Sequence, residues 1–354
     1  MRIAVASLET HHHRATDETE RLRRVVEGLA DRGHDVEVCC ARFWDGEDRT
    51  WSVDGVTYRG VAGSTESRER FYAGLPNALR KARPDVIHAS AAPPGTVLAA
   101  RTGAGLARAP LVVEWYDPSD RLPGGRVERQ AVRRAHRVIA PSRLVRRKLW
   151  ELGAAEDEVS VVPTGIDIGA IESIGPDDRY DVVFTRRLDA DAHLDSLLLG
   201  LAEHRDRGVS VAVIGDGPER RAYERQTREL RIDDRVDFLG ELPRPGRIAI
   251  YRGAHVFVQT ARRCPFATEL CWALAAGCVG IVEYHADSSA HELVEGRERG
   301  FRTTSETEMA EALVAAGDHE HRTIDRAFEG FDDDAVLERY LECYREADNA
   351  RGLF

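Results

Sequence analysis

Short apolar runs alternate with amphipathic stretches along nearly the whole chain. Arg2 to Ser7 is an apolar run of strand length. Leu22, Val25, Val26, Leu29 and Ala30 follow at the i, i+3, i+4, i+7 spacing of one buried helix face. Asp17 with Glu20 three residues on is a capping pair for that helix. Gly33 ends it, and Asp35 to Cys39 predicts the next strand. Further apolar bursts fall at Asp85 to His88, Leu111 to Trp115, Val138 to Ala140 and Val159 to Val162. Strands separated by helical segments pair in parallel, which predicts a doubly wound α/β sheet.

The rhythm pauses at Thr164 to Asp178, a stretch rich in Gly and Asp with one Pro, which reads as an interdomain linker. A second α/β half begins at Tyr180. Its predicted strands are Asp181 to Thr185, Val209 to Ile214, Val236 to Leu239, His255 to Gln259 and Val279 to Glu283. Arg220 to Leu230 and Thr268 to Ala276 are predicted helices between them. Ala335 to Ala347 is another, with Val336, Leu337, Tyr340, Leu341 and Tyr344 on one face. The organisation expected is a first domain over 1–165, a linker over 166–178, a second domain over 179–330 and a terminal helical segment over 331–354. Ligands of open α/β sheets bind beyond the carboxyl ends of the strands, so a cleft between the two halves is the expected site.

Composition narrows the class. The 354 residues suit two domains, and 42% hydrophobic with 31% charged residues supports folded cores. No run reaches the roughly 20 apolar residues of a membrane-spanning helix, and the opening MRIAVASLETHHH does not read as a signal peptide. The net charge of -11 and pI near 5.7 argue against nucleic acid as a partner. The cysteines at 39, 40, 264, 271, 278 and 343 contain no C-x-x-C pair, so no zinc site is expected and free thiols in a reducing cytoplasm fit.

Five segments carry candidate chemistry. Gly215-Asp216-Gly217-Pro218 follows a strand and precedes a helix; it suits a phosphate or simply a tight turn, and it lacks the third Gly of a dinucleotide fingerprint. Cys264-Pro265-Phe266-Ala267-Thr268-Glu269 leads into a helix, with Thr268 as the expected N-cap and Glu269 in the first turn. There Glu269 either complements the helix dipole or hydrogen-bonds a sugar hydroxyl while amides hold a diphosphate. Arg186-Arg187 follows a strand, where a guanidinium binds phosphate in bidentate fashion or pairs with Asp189 or Asp191. His11, His12 and His13 follow the first strand; one of them is a candidate for hydrogen-bonding an acceptor, and a three-ligand metal site is not expected. Finally, Arg126 to Lys148 carries eight Arg, one Lys and one Glu, either as a solvated face or as a docking surface for anionic lipid.

These segments, in this order, resemble a glycosyltransferase of family 4 with the GT-B fold. The likeness rests on Arg2 to Ser7, Gly33-His34-Asp35-Val36, Pro84-Asp85-Val86-Ile87-His88, Val138-Ile139-Ala140-Pro141-Ser142 and Val162-Pro163-Thr164-Gly165-Ile166-Asp167. In the second half it rests on Arg187-Leu188, Gly215-Asp216-Gly217-Pro218, Phe238-Leu239-Gly240 and Ala273-Leu274-Ala275-Ala276-Gly277. Glu338-Arg339-Tyr340-Leu341 with Tyr344 is similar to the helix that crosses back onto the first domain. The resemblance implies two Rossmann-like domains facing a cleft, and transfer of a sugar from a nucleotide-sugar donor with retained configuration, without a metal ion or other cofactor. It implies that Arg187 meets the donor diphosphate, that Leu239 and Gly240 border the base, and that Phe266, Ala267 and Thr268 lie near phosphate and sugar. The acceptor, a sugar or a lipid-linked one, belongs to the first domain near His11, His12 and His13. The expected setting is the cytoplasm, with peripheral contact at the inner membrane face.

The sequence also departs from the family pattern. The usual pair of glutamates falls at Cys264 and Trp272, neither of which accepts hydrogen bonds as a carboxylate does. The usual Lys falls at Ala192 with His193 beside it, and a usual His falls at Tyr116 with Asp117 kept. One reading is an active branch in which Glu269 takes a carboxylate's catalytic role and His193 or Arg186 replaces the Lys charge. The alternatives are a degenerate protein acting as a binding or scaffolding partner, and a sugar-nucleotide 2-epimerase.

Overall fold

In a computed structural model, which describes residues 1–117 and 125–351, the chain forms two compact units. The first comprises 1–165 and 333–354, the second 166–332.

The first unit runs β1 (Arg2–Ala6), α1 (Asp17–Asp31), β2 (Asp35–Ala41), β3 (Thr50–Val53), β4 (Val56–Ala62), α2 (Arg68–Ala82), β5 (Val86–Ser90), α3 (Gly95–Ala107), β6 (Leu111–Glu114), α4 (Arg126–Val132), β7 (Arg137–Ala140), α5 (Arg143–Leu152) and β8 (Val159–Val161). The sheet order is β3-β4-β2-β1-β5-β6-β7-β8, parallel except for β3 against β4. Asp54 and Gly55, both with positive φ (49° and 73°), form the two-residue turn of that hairpin. This Asp-Gly signal was legible in the sequence, but its first strand is short and largely exposed, so hydrophobic patterning alone passes over it. The α1 cap also differs from the expected Asp17/Glu20 pair. Thr16 is the N-cap, its hydroxyl accepting from the Thr19 amide while Thr19 reciprocates, and Asp17 and Glu20 instead complement the dipole of the first turn.

The second unit runs α6 (Ile168–Ser173), β9 (Val182–Thr185), α7 (Asp195–Glu203), β10 (Val211–Ile214), α8 (Arg220–Leu230), β11 (Val236–Gly240), α9 (Arg244–Gly253), β12 (Val256–Gln259), β13 (Arg263–Cys264), α10 (Thr268–Ala275), β14 (Val279–Glu283), β15 (Asp287–Ser288), β16 (Gly300–Thr303) and α11 (Glu306–Ala316). Its parallel sheet has the order β11-β10-β9-β12-β14-β16. The stretch expected as a linker is built into this unit. Ile166 and Ile171 are fully buried in its core, and the Asp177 amide donates to the Ala249 carbonyl at 2.8 Å. Gly and Asp there cap and turn the chain rather than loosen it; the Asp167 carboxylate caps α6.

The chain then returns to the first unit as α12 (Asp333–Arg351). Val336, Leu337, Tyr340, Leu341 and Tyr344 pack with Leu22, Val25 and Leu29 of α1 against one face of the sheet. The helix is also tied by buried polar groups. Glu114, at the end of β6, accepts from Arg21 Nε at 2.5 Å, from the Tyr340 hydroxyl and from His88 Nε2 at 3.1 Å. His88 Nδ1 lies 2.8 Å from the Tyr344 hydroxyl. Arg21 also donates to the Val162 carbonyl and to Thr164. A buried ion pair is tolerated only when its groups find partners, and each nitrogen of the Arg21 guanidinium and both carboxylate oxygens of Glu114 have one.

Candidate functional site

In the second unit the sequence-selected residues lie at the carboxyl ends of β9, β10 and β11 and in the segment that follows β12. Arg187 follows β9. Its side chain is 70% exposed and sits 3.9 Å from Asp189, too far for a tight pair, so the guanidinium is available to an anion. Arg186 turns inward instead, donating to the Arg263 carbonyl at 3.1 Å. The Gly215 to Pro218 segment is a packing turn. A Cβ at Gly215 would strike the Arg186 carbonyl, and one at Gly217 the Leu188 carbonyl, so both glycines admit the neighbouring backbone. The Gly215 amide donates to the Gly240 carbonyl. Leu239 and Gly240 are half-buried at the end of β11, where Arg220 donates to the Phe238 carbonyl at 2.9 Å. Arg220 was not singled out from sequence; on an Arg-rich helix nothing marks it.

The loop before α10 differs from expectation in one respect. Thr268 is not the N-cap: Ala267 holds that position without a side-chain cap, and Thr268 is the first helical residue. The Thr268 amide donates to the Phe266 carbonyl at 3.0 Å, and the Phe266 and Ala267 side chains are buried in the core. Glu269 is heavily engaged. Its carboxylate accepts from Arg244 at 2.8 and 3.0 Å, from Arg247 at 2.8 Å and from the Tyr251 hydroxyl at 2.6 Å. Arg244 also lies over the ring of Trp272, 4.8 Å from its centroid. The result is a brace between α9 and α10. It was not visible in the sequence because Glu269 and its partners are separated by 18 to 25 residues.

His193 sits where the backbone is left-handed (φ 52°). Its Nδ1 lies 2.9 Å from Glu283 Oε2, at the end of β14, and His285 Nε2 approaches the same oxygen at 3.5 Å. Cys264, at one of the two glutamate positions, is buried, as are the other five cysteines. Burial pushes the Cys271 thiol above its ordinary range and that of Cys278 to about 12, so both behave as small apolar groups rather than thiolates.

In the first unit His11, His12 and His13 form a loop after β1. His12 is exposed and stacks on Phe43 with centroids 4.3 Å apart, while Trp51 and Tyr58 meet it edge-on at 5.4 and 5.2 Å. Burial lowers His11 to about 4, with His12 and Arg23 adding to the fall, and burial with His13 lowers His12. These rings are neutral at pH 7, which suits stacking and hydrogen bonding rather than charge pairing with phosphate.

A carboxyl group that sequence reading missed lies at the same end of this sheet. Glu18, in the first turn of α1, accepts from the Ser90 hydroxyl at 2.9 Å, beyond the end of β5. Burial raises it to about 7, with Glu114, Asp117 and Glu9 adding to the rise against the Ser90 hydrogen bond. A carboxyl raised toward neutrality at the carboxyl ends of parallel strands is a candidate site residue. Its signal was hidden because Glu in a first helical turn is ordinary capping chemistry.

The basic segment from Arg126 to Lys148 forms α4, β7 and α5. Arg126, Arg129, Arg133, Arg134, Arg143 and Arg147 are exposed, together with Val127. Arg137 and Arg146 turn away from this group, onto Glu346 and over the Trp150 ring. Among the described residues no helix is long and apolar enough to cross a membrane.

Two family models match the chain: Glycosyltransferase Family 4 over residues 20–169 and Glycosyl transferases group 1 over 171–318. Alpha-monoglucosyldiacylglycerol synthase of Streptococcus pneumoniae is 24% identical over 214 residues, which is 54% of this chain and 48% of that protein. The match thus spans about half the length of that relative. Among solved structures, HepE of Anabaena in complex with UDP and glucose has a TM-score of 0.73 at 19% identity, covering 97% of this chain and 98% of the other. A glycosyltransferase of Rickettsia africae has a TM-score of 0.79 at 12% identity, with 98% of each chain covered. The family matches and the paired doubly wound sheets agree: the chain belongs to glycosyltransferase family 4, with the GT-B fold, and is a glycosyltransferase.

Proposed function

We propose that the protein transfers a sugar from a nucleoside diphosphate sugar to a lipid-carried acceptor at an anionic membrane surface, with the anomeric configuration retained. The donor belongs to the second unit. The observation that carries this is the exposed, loosely paired Arg187 at the carboxyl end of β9. The anomeric carbon–oxygen bond to the diphosphate breaks, the acceptor oxygen takes the anomeric carbon, and its proton leaves on the diphosphate. Arg187 stabilises the charge that develops on the departing group. His193 stands beside the position of the usual Lys, and Leu239 and Gly240 border the base. Glu269 acts by position: through Arg244, Arg247 and Tyr251 it fixes the start of α10.

The acceptor belongs to the first unit. The neutral His12 ring on Phe43 offers a stacking face, and Glu18 offers a hydrogen-bonding partner for a hydroxyl group. Lipid delivery is supported by the exposed arginines of α4 and α5, each adding about 1 kcal/mol near an anionic surface, and by the diacylglycerol-directed name of the Streptococcus relative. The family matches favour transfer over a degenerate scaffold or a 2-epimerase.

A thermal-shift panel of UDP, GDP, ADP and their sugar conjugates tests the donor. One of them at about 100 times its dissociation constant adds about 2.7 kcal/mol, a rise of several degrees. No shift with any of them, from a folded sample, removes the reading. Flotation with anionic vesicles at low salt tests the membrane surface; absence of binding there removes the lipid-carried acceptor.

A further inference from the structure

We infer that His193, Glu283 and His285 form a binding site for a transition-metal dication of the Zn2+ type. One donor atom from each of the three lies within 4.8 Å of the others. Two of the separations are 2.9 Å (His193 Nδ1 to Glu283 Oε2) and 3.5 Å (His285 Nε2 to the same oxygen). Ligand atoms about 2.0–2.2 Å from one ion stand roughly 2.9 Å apart in cis octahedral geometry and roughly 3.4 Å apart in tetrahedral geometry. The first separation, a hydrogen bond in the ion's absence, matches the octahedral value and the second the tetrahedral one, so a shift of a few tenths of an ångström brings the three ligands into one geometry.

A second observation points to a missing partner. His285 Nε2 is buried yet makes no hydrogen bond of acceptable geometry, although a carboxylate oxygen lies just beyond reach. A buried ring nitrogen left so is costly, and a cation between it and Glu283 would satisfy both. The carboxylate itself is only 8% exposed, so it is already held in place, whereas the imidazoles at 17% and 22% leave a path for an ion. Two imidazoles with one carboxylate favour Zn2+, Co2+, Ni2+ or Fe2+ over Mg2+ and Ca2+. Three protein ligands leave at least one position for an outside oxygen.

The placement gives the site a use, and that use rests on the proposed donor reading. His193 follows β9 and Glu283 ends β14, at the sheet end where Arg187 stands. An ion there would supply positive charge beside Ala192, where the usual Lys is absent. Metal binding itself needs no donor and is tested without one.

The tag-free full-length protein is stripped with a chelator and titrated with Co2+, followed by its visible absorption, and with Zn2+ by calorimetry. One equivalent is expected. His193→Gly removes a ligand while suiting the left-handed backbone, so the fold is retained; Glu283→Gln is isosteric. Each should weaken Co2+ binding by about 100-fold, at the upper end of the losses seen when a metal site is disturbed, with metal-free melting temperatures within 2 °C of wild type, on the order of 1 kcal/mol or less. A triple His11→Ala, His12→Ala, His13→Ala variant should bind as wild type does. No stoichiometric binding, undiminished binding by His193→Gly, or loss in the triple variant instead would each overturn the inference. UDP-dependent stabilisation is measured in parallel on the metal-free protein. UDP binding without metal binding refutes only this site, whereas metal binding with no nucleotide response refutes only the donor reading.

Discussion

Replacing Glu114 with leucine should destabilise the first unit by about 3–5 kcal/mol, the range found when one partner of a buried ion pair is removed. The carboxylate is about 5% exposed and accepts from three buried groups, Arg21, His88 and Tyr340. Without it the Arg21 guanidinium, 2% exposed, keeps only the Val162 carbonyl and the Thr164 hydroxyl, neither of which carries a charge. For a unit of this size each kcal/mol moves the melting temperature by roughly 2–4 °C, so the expected drop is roughly 6–20 °C. Calorimetry at pH 7 measures it, with a double-mutant cycle through Arg21→Met. The double variant should recover much of the loss, since an apolar pair of similar volume often matches a buried ion pair. The pH dependence follows from the same group. Burial pushes the Glu114 carboxyl up, but Arg21 and the hydrogen bonds from His88 and Tyr340 outweigh it and hold it well below the usual carboxylate range. A depressed carboxylate contributes stability above its unfolded value of about 4.3 that is lost as the pH falls further. Leucine at 114 should therefore flatten the acid limb. A melting temperature within 2 °C of wild type, or a double variant as unstable as the sum of the singles, would refute the account.

Three further outcomes are expected. Glu18, raised to about 7, binds more protons in the folded state between its unfolded and folded values, so its contribution to stability falls as the pH rises through neutrality. Glu18→Gln should be more stable than wild type at pH 8 by up to about 3 kcal/mol and converge with it near pH 4; thermal melts across this range decide. Arg187→Ala should leave the melting temperature unchanged, because the side chain is exposed and loosely paired, yet weaken nucleoside diphosphate binding by roughly 10- to 100-fold, the value of a charged hydrogen bond; unchanged affinity in calorimetry removes Arg187 from the site. Glu269→Gln should cost about 1–3 kcal/mol, since Arg244 and Arg247 lose their counter-charge; chemical denaturation reads this, and unaltered stability would show that the brace does nothing.

Much of the fold was legible along the chain. Buried parallel strands are continuous apolar runs, and Val279 to Glu283 was bounded by sequence as the structure has it. Arg220 to Leu230 was equally plain, because one helix face repeats every three to four residues. Thr50 to Val53 was not, because a four-residue strand with only Trp51 and Val53 on its apolar face is too short to show an alternation. The 166–178 segment was misread for a related reason: Gly and Asp mark turns, and a turn sequence does not say whether its backbone is docked. Within the site, the Arg186-Arg187 pair could be chosen from sequence because its place after a strand is a local property, and the family likeness pointed to Arg187 of the two. The engagement of Glu269 could not, and neither could the meeting of His193 with Glu283 across 90 residues.

The sequence by itself determined the alternation of strands and helices, the two-domain count, the apolar face of the terminal helix and the family likeness. All of these depend on spacing along one stretch of chain. Tertiary structure alone decided which charges are satisfied. Burial raises the Glu18 carboxyl and lowers the His11 imidazole, while Arg21 outweighs burial at Glu114. Desolvation and Coulomb interaction depend on distance and depth in space, and residue types in order do not encode either until the chain has folded.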